Sequence, residues 1–226
     1  MFKVKKLNLL VFGATFAILV ALFFFALKES EPKRVLPIIN PSQINSVLVD
    51  QDLQRIGRGH RVTDFSLIDH LGQRVDSNIV SGKVRVVEFF FTTCPSICRI
   101  MNQELQKVQQ AFSGDTRLMI LSHTVMPEVD DVATLAQYAV DHDIDAVNWR
   151  LLTGEKDEIY RLARRSYFVA PDPDNDYPAI DGHDFIHTEN IALIDPNGRI
   201  RGFYDGTDAE EMSQLIEDIA ILFEDF

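Results

Sequence analysis

The sequence predicts an α/β fold in which helices flank a central, mixed β-sheet. Short apolar runs rich in Val, Ile and Phe alternate with stretches whose apolar residues recur at helical spacing, and this alternation is typical of layered α/β domains. Near the carboxyl end, two short apolar runs are joined by a turn and followed by a helical stretch, which adds antiparallel strands to the sheet. Apolar residues make up 46% of the 226 residues, enough to cover such a sheet with a core.

The first 27 residues predict a membrane anchor. Residues 1–6 are short and basic, and residues 7–27 form a run of 21 without any charge, about 30 Å long as a helix and so close to the thickness of a bilayer's hydrocarbon core. The run is longer than the apolar core of a signal peptide and lacks a small-residue cleavage site. We expect an uncleaved single-pass helix in the cytoplasmic (inner) membrane of a bacterium, with the rest of the chain on the periplasmic side.

The remainder of the chain divides at about residue 60. Residues 28–59 contain Pro32, Pro37 and Pro41 together with charges of both signs, and we interpret them as a tether. Its short apolar pieces at 35–39 and 47–49 are expected to pack on the domain or to pair as an edge ribbon. The globular domain is expected over residues 60–226.

The first half of this domain predicts a hairpin, a buried strand and a helix. Apolar residues between 62 and 75 flank a turn-like sequence at 69–72, as in a β-hairpin. Residues 84–91 (VRVVEFFF) form an apolar run that is typical of a buried strand. Apolar residues at helical spacing over 100–112 indicate that a helix follows.

The second half continues the alternation of strands and helices. Strands are predicted at 117–122, 149–152, 190–194 and 200–204, and helices at 132–140 and 155–165. Residues 195–198 (DPNG) are a strong turn signal between the last two strands. Asp208 is the predicted N-cap of a final amphipathic helix.

The only cysteines of the chain, Cys94 and Cys98, lie at the junction between the predicted strand and the predicted helix. If the helix begins near Pro95, which a first turn tolerates, their side chains lie one above the other on one face. Such a pair can share a metal ion or close a disulfide, and the positive end of the helix should lower the thiol pKa. Two cysteines in a chain of this length do not make a disulfide framework, so they indicate chemistry.

The charge of the chain narrows the class of partner. A formal net charge of −12 argues against binding to nucleic acid and to anionic lipid surfaces, because both are negatively charged. The acidic balance is typical of a soluble domain and says little about the fold.

Two motifs give the chain a resemblance to a known family. The first is FFFTTCPSIC at residues 89–98, and the second is HTENIALIDPNG at residues 187–198. With these motifs the chain resembles the thioredoxin-fold proteins and, more narrowly, the SCO/SenC family of copper-handling proteins. In that family a CxxxC pair follows an aromatic strand, and a distant histidine precedes a strand that ends in a P-x-G turn. The resemblance covers about residues 62–222, and the predicted anchor also fits.

The resemblance implies a thioredoxin-like fold and a copper site made by Cys94, Cys98 and His187. It also implies that the protein delivers copper to, or assembles, the copper centre of a haem–copper respiratory oxidase, whose copper-centre subunit is then its partner. Two thiolates and one imidazole form a soft ligand set that suits Cu(I) and, with rearrangement, Cu(II). A structural zinc ion would need a fourth ligand, for which His183 and Asp184 are near in sequence.

Two positions depart from the family pattern. Arg99 stands where the family has a proline, directly after the second cysteine, and Ile186 stands where the family tends to have an aspartate before the histidine. Neither change removes a ligand of the expected site. A cation at Arg99 should lower the pKa of the neighbouring thiols, so this departure bears on copper affinity and redox potential.

The alternative function is that of a membrane-tethered thiol–disulfide reductase acting on the cysteines of an oxidase subunit. Cys94 and Cys98 are then a redox pair, with Cys94 as the nucleophile because it lies nearer the start of the helix. A disulfide between them would prevent copper binding, so the redox state would gate metal loading. Phe91 stands where peroxiredoxins need a threonine, which argues against peroxidase activity, and we do not expect a dedicated enzyme.

His123 is a further candidate because it directly follows the predicted strand at 117–122. Functional sites in α/β sheets gather at such strand ends. Most histidines bind no metal, so we favour a hydrogen-bonded histidine at the edge of the sheet over a metal ligand at this position.

Overall fold

The computed structural model describes residues 16, 19, 20, 34–46, 48–169 and 189–226. The chain falls into two compact units, residues 1–35 and residues 36–226. In the first unit, Phe16, Leu19 and Val20 are helical and exposed. None of the helices formed by the described residues is long and apolar enough to cross a membrane. The predicted anchor at 7–27 lies outside the described residues, apart from these three positions, and stays a prediction.

The second unit is built on a mixed sheet, as the sequence predicts. In the described part of the chain its strands are β1 (Ser66–Asp69), β2 (Arg74–Asp76), β3 (Val84–Phe90), β4 (Leu118–Thr124), β5 (Trp149–Thr153), β6 (Asn190–Ile194) and β7 (Ile200–Asp205). They lie in the order β2-β1-β5-β4-β3-β6-β7. Strands β3, β4 and β5 are parallel, whereas β1, β2, β6 and β7 pair in antiparallel fashion with their neighbours. The carboxyl ends of the three central strands therefore lie at one edge of the sheet.

Helices cover both faces of this sheet. Their bounds are α1 (Ser77–Val80), α2 (Ile97–Ala111), α3 (Val132–Asp141), α4 (Lys156–Arg161), which continues as a π-helix over Leu162–Ser166, and α5 (Ala209–Asp225). Helices α2, α3 and α5 bury their apolar sides in one core cluster, while α1, α4 and the π-helix contribute to a second cluster on the opposite face. The sequence predicted one uninterrupted helix at 155–165, because apolar spacing does not distinguish a π turn from an α turn.

The turns that close the hairpins follow from their side chains. Asp69 accepts hydrogen bonds from the N–H groups of Leu71 and Gln73 between β1 and β2. Asp195 does the same for Asn197 and Arg199 between β6 and β7. Asp and Asn side chains that bond to nearby backbone groups favour such turns. Both predicted turns are therefore confirmed.

The second unit begins at Leu36, and several of its described residues before β1 pack on the sheet. Leu36 and Val49 are buried in its two core clusters, and Ile39 forms an isolated antiparallel bridge with Ile200. The Arg201 guanidinium donates to the carbonyl oxygens of Leu36 and Pro37. A large part of the segment that the sequence assigned to a tether thus covers the sheet.

Candidate metal centre

The loop after β3 is fastened by one buried carboxylate. Asp130 is fully buried and accepts hydrogen bonds from the Thr92 N–H at 3.1 Å and from the hydroxyls of Thr92 and Thr124. Thr124 is the last residue of β4, which runs parallel to β3. Asp130 therefore links Thr92, which lies two residues before Cys94, to Thr124 at the carboxyl end of β4.

The cysteine pair lies directly beyond this fastening point. Helix α2 begins at Ile97, and its N-cap residue Ser96 makes no capping hydrogen bond with its side chain. Cys94 thus precedes the helix and only Cys98 is part of it, so the expectation of a helix that begins near Pro95 and stacks both side chains on one face is wrong. The Cys94 N–H instead donates to the carbonyl oxygen of Phe91 at 3.2 Å, as in a turn.

The two sulfurs are nevertheless neighbours. Cys94 is half-buried, Cys98 is buried, and neither forms a disulfide. A side-chain hydrogen bond joins the two thiols. The sulfurs are therefore neighbours as predicted, but a turn before the helix positions Cys94, and not the first turn of the helix.

The pKa of the Cys98 thiol is raised, which corrects the expectation that the helix N-terminus lowers it. The largest cause is burial, which disfavours the thiolate, followed by the hydrogen bond with Cys94. Arg99 is exposed and is not among the groups that shift this pKa. The expected effect of a cation at position 99 is therefore not found at Cys98.

A buried polar network lies on the same sheet face as α2. The carboxyl group of Glu88, in β3, accepts a 2.5 Å hydrogen bond from the Ser122 hydroxyl, and Ser122 accepts a 2.8 Å bond from the indole N–H of Trp149. Burial raises the pKa of Glu88 to about 7, although the bond from Ser122 acts in the opposite direction. Glu88 also interacts electrostatically with Cys98.

Tyr138, on α3, faces the same group of residues. Its pKa is raised, chiefly by burial and then by the charges of Glu88, Cys98 and Cys94. Its ring lies 5.5 Å from that of Phe90, between centroids. Tyr138 also lines a surface groove of about 520 Å³ together with Thr92, Ala133, Thr134, Gln137 and Asp141. This groove opens beside the loop that leads to the cysteine pair.

The third expected ligand, His187, lies outside the described residues, as do His183, Asp184 and Ile186. Among the residues that the structure describes, no group of three His, Cys, Asp or Glu side chains is placed to hold a metal ion. Two adjacent thiols are the ligand type that a soft ion such as Cu(I) prefers. The two described ligands of the expected site thus fit copper, and the histidine stays a prediction.

His123 does not belong to the cysteine site. It lies within β4, between β3 and β5, and stacks on Phe89 with 4.9 Å between ring centroids. It is fully buried, and no described group makes a hydrogen bond of ordinary geometry with its ring nitrogens. Burial lowers its pKa to about 4, although the backbone of Glu88 and Leu121 acts in the opposite direction. Phe89 and its neighbour Tyr167 belong to the core cluster on the face opposite α2. The expected position at the edge of the sheet is therefore wrong, because β4 lies in the interior of the sheet.

Three residues around the cysteines were not found from the sequence. Glu88 could have been noticed as the one acid inside an apolar strand. Asp130 lies in a run of polar residues in which nothing marks it. Tyr138 fits the amphipathic pattern of α3, so the sequence alone does not single it out. The last two become visible only when the fold brings β4 and α3 beside the loop that carries Cys94.

The chain is similar to known proteins along most of its length. The sequence model of the family described as SCO1/SenC matches residues 54–224. Protein sco1 of Schizosaccharomyces pombe is 32% identical over 199 residues, which cover 85% of this chain and 70% of that protein.

Solved structures agree with this result. BsSco, a member of the Sco family of cytochrome c oxidase assembly proteins in which a disulfide switch was identified, aligns with a TM-score of 0.60 at 25% identity, over 72% of this chain and 93% of that one. ScoI of Bradyrhizobium japonicum with copper bound aligns with a TM-score of 0.55 at 27% identity, over 71% and 99%. Because the family match spans most of the chain and includes both motifs, this protein belongs to the SCO1/SenC family.

Proposed function

We propose that the protein binds one copper ion through Cys94, Cys98 and His187 and supplies it to the copper centre of a haem–copper respiratory oxidase. The observation that carries this proposal is the pair of neighbouring thiols, not joined by a disulfide, beyond the carboxyl end of β3. Membership of the family supports it, and so do a relative solved with copper bound and a relative from a family of cytochrome c oxidase assembly proteins.

The strand register supports the assignment of His187 as the third ligand. Strand β6 is antiparallel to β3, with Val87 opposite Ala192. Extending this register by two residues sets Asn190, the first residue of β6, opposite Phe89. Three residues of chain reach at most about 10 Å, a span that allows His187 to approach the end of β3 from which the cysteine loop departs.

The ligand chemistry favours copper over zinc. Structural zinc sites take four protein ligands, and the proposal supplies three. Two thiolates with one imidazole suit Cu(I) because soft ligands prefer it. Copper is the cargo here, so the site must also release the ion, and a half-buried Cys94 leaves one ligand accessible to a partner.

An anaerobic Cu(I) titration of the reduced full-length protein, in competition with a chromogenic chelator, tests the proposal. The wild type should saturate at one ion per chain. His187→Ala should weaken binding by at least about tenfold, the usual order for loss of a ligand or its support, while the matched control His183→Ala should leave the affinity unchanged. Wild-type affinity in the His187 variant would show that the third ligand is another group.

A second function, thiol–disulfide exchange, is favoured by a specific observation. The two thiols are in contact and neither is held in a disulfide, so they are placed to be oxidised to one. A disulfide switch is known in the related BsSco. Copper binding and the oxidised pair exclude each other, because thiolates are the ligands. His187→Ala should weaken copper binding as stated above and leave exchange largely intact, which separates the two functions.

We also propose that residues 7–27 anchor the chain in the bacterial inner membrane with residues 36–226 on the periplasmic side. The uncharged run and the basic residues before it support this orientation. Extraction with alkaline carbonate should leave the protein in the membrane fraction, and protease added to spheroplasts should degrade the domain. Release by carbonate, or full protection from protease, would contradict the anchor or its orientation.

A further inference from the structure

Helix α3 and its flanking residues present a strongly acidic surface beside the cysteine loop. Residues 118–149 contain no Lys or Arg. Five acids of this stretch are exposed, and we call them the acidic α3 surface: Glu128, Asp131, Asp141, Asp143 and Asp145. Lys156 pairs with Glu128 at 3.4 Å between Nζ and Oε1, and no other described cation forms an ion pair with the five carboxylates. The surface therefore keeps most of its negative charge.

The stability of α3 explains one of these charges and leaves the others unexplained. Asp131 is the N-cap of α3 and accepts a 2.8 Å hydrogen bond from the Thr134 N–H, which stabilises the helix. Asp141 is the last residue of α3, and the last turn contains no basic residue. The carboxyl end of a helix carries partial negative charge, which makes a carboxylate there unfavourable. Asp143 and Asp145 add two further charges just beyond it. Charge that is kept at a cost to the helix points to recognition of a cationic group.

The surface groove described above connects the acidic α3 surface with the cysteine loop. Thr92 lines the groove on the loop side, two residues before Cys94, and Asp141 lines it at the end of α3. Helix α3 is 10 residues long, about 15 Å at 1.5 Å per residue, which about five residues of extended chain can span. A peptide segment bound along α3 would thus lie next to the loop that carries the half-buried Cys94.

The charge also decides which kind of molecule fits this surface. Among the described residues, no group of three His, Cys, Asp or Glu side chains is placed to hold a metal ion, so the surface is not built for a single bound cation. It repels nucleic acid, anionic lipid headgroups and a second copy of a chain whose net charge is −12. A segment with several Lys or Arg side chains is complementary in charge. The carbon stems of such side chains can also pack on exposed apolar groups, such as Val140 of α3, which is 72% exposed.

We propose that the acidic α3 surface and its groove dock a basic, Lys- or Arg-rich segment of the protein that receives copper from the cysteine site. This inference rests on the proposed function and names the chemistry by which the partner is recognised. Docking along α3 holds the partner beside Cys94, the more accessible of the two described ligands. Complementary charge at the rim of an interface mainly accelerates association, so the surface should act on the rate of encounter and leave copper affinity unchanged.

Fluorescence anisotropy of a pentalysine peptide that carries an uncharged fluorophore tests the surface. The peptide is titrated with the reduced full-length protein in an uncharged detergent at low ionic strength. Asp131→Asn/Asp141→Asn removes two charges, and asparagine at position 131 still caps the helix. This double variant should bind the peptide at least about threefold more weakly, the order expected for the loss of two exposed ion pairs. The difference should vanish at high salt, because exposed charges are screened.

The matched control removes the same amount of charge elsewhere on the protein. Glu217→Gln/Asp225→Asn neutralises two exposed acids of α5 and should leave the peptide affinity nearly unchanged. An equal loss of affinity in both double variants would show that the peptide responds to the overall charge of the chain, and this result would overturn the proposal. A wild type that does not bind the peptide would overturn it as well.

Zero-length cross-linking keeps the test decisive if the α3 double variant does not fold. A carbodiimide joins a peptide amine to a protein carboxylate as an amide and takes up the water that is lost, becoming a urea. Mass spectrometry then locates the amide in the wild-type protein. Amides concentrated on the acidic α3 surface would support the proposal, whereas amides on α5 alone, or spread evenly over the exposed acids, would contradict it.

Copper transfer distinguishes failure of this inference from failure of the proposed function. The α3 double variant should keep wild-type Cu(I) affinity and wild-type transfer to the uncharged chelator neocuproine. Its transfer to the copper-free copper-centre domain of the same bacterium's oxidase should be at least about threefold slower at low salt. Unchanged transfer to that domain would overturn the docking role. A wild type that delivers no copper there would contradict the proposed function, and the peptide assay would still decide on the surface.

Discussion

Asp130 illustrates how one residue positions the cysteine loop without touching a cysteine. Its carboxylate satisfies the Thr92 N–H and the hydroxyls of Thr92 and Thr124 in a fully buried place. Removing an acceptor leaves buried donors unsatisfied, which costs about 1–3 kcal/mol for each group. Asp130 thus holds Thr92, two residues before Cys94, against the end of β4.

We predict that Asp130→Ala lowers the free energy of unfolding by about 3 kcal/mol, because three donors lose their partner. Urea unfolding followed by far-UV circular dichroism measures this. The control is Thr92→Val, which removes the hydroxyl bond but keeps the backbone one, and should cost about 1 kcal/mol. Equal stabilities of Asp130→Ala and wild type would mean that the buried donors find other partners.

For single residues, some features were predictable from the sequence and others were not. The identity of the cysteine pair and its place after a strand were predictable, because residue type and local pattern determine them. The direction of the Cys98 pKa shift was predicted wrongly. Local reasoning considers the helix terminus, whereas the dominant cause is burial under residues that are distant in sequence.

At the scale of elements, an ion-pair cluster fastens the segment before β1 to the π-helix. Asp50 pairs with both Arg164 and Arg165 and is 11% exposed, whereas Asp52 pairs with Arg165 and is 62% exposed. A buried charge that loses its partner is costly, but an exposed pair contributes little. The two aspartates, separated by one residue, therefore form a matched pair for experiment.

We predict that Asp50→Ala destabilises the protein by about 2 kcal/mol, because the half-buried Arg164 loses its ion pair with Asp50 and Arg165 keeps only its pair with the exposed Asp52. Asp52→Ala should leave stability almost unchanged. Thermal or urea unfolding of the two variants at low and high salt checks this, and the effect of Asp50→Ala should persist at high salt because partly buried pairs are screened little. A similar loss of stability in both variants would contradict the claim that the more buried ion pair contributes more to stability.

Element boundaries were predictable to within a few residues, with two instructive exceptions. The start of α2 was placed too early because Pro95 suits a first turn, yet the chain forms a turn through Cys94 and begins the helix at Ile97. The short helix α1 was not predicted. Its N-cap, Asp76, accepts from the N–H groups of Asn78 and Ile79, but four residues are too few to show an apolar period.

On the scale of the whole molecule, two buried titratable groups make stability depend on pH in opposite directions. Glu88 has its pKa raised from 4.5 to about 7, so the folded state holds a proton that the unfolded state has lost, and stability falls as pH rises between these values. His123 has its pKa lowered from 6.5 to about 4, so the unfolded state binds the proton, and stability rises over that interval. Each effect is at most about 3 kcal/mol.

We predict that Glu88→Gln removes the part of the pH dependence in which stability falls as pH rises. Relative to wild type, the free energy of unfolding of this variant should increase as pH rises from about 5 to 7, because wild type alone carries the cost of charging a buried carboxyl. Urea unfolding at several pH values measures the difference. A difference that does not change with pH would show that Glu88 titrates alike in the folded and unfolded states.

For His123→Leu the predicted trend is the reverse. Below pH 6.5 the wild type is destabilised by the proton that its unfolded state binds, and the variant is not. The variant should therefore gain stability relative to wild type as pH falls from about 6.5 to 4. The same urea series applies, and a constant difference between the two proteins would rule out a buried neutral histidine.

The fold class of the molecule was predictable from the sequence, since the alternation of strands and helices determines a layered architecture. The strand order and the placement of Glu88, Asp130 and Tyr138 around the cysteines were not. These contacts join residues that are far apart in the chain, and no local pattern encodes them. The assignment of His187 as the third ligand stays a prediction, which the register between β3 and β6 supports.

The central claim is that a distant imidazole completes the site of the two thiols, and copper K-edge X-ray absorption of the Cu(I)-loaded full-length protein tests it most directly. The account predicts two sulfur scatterers and one imidazole nitrogen in the wild type, with the imidazole signal lost in His187→Ala and kept in His183→Ala. A wild-type spectrum without imidazole scattering, or one that His187→Ala leaves unchanged, would contradict it.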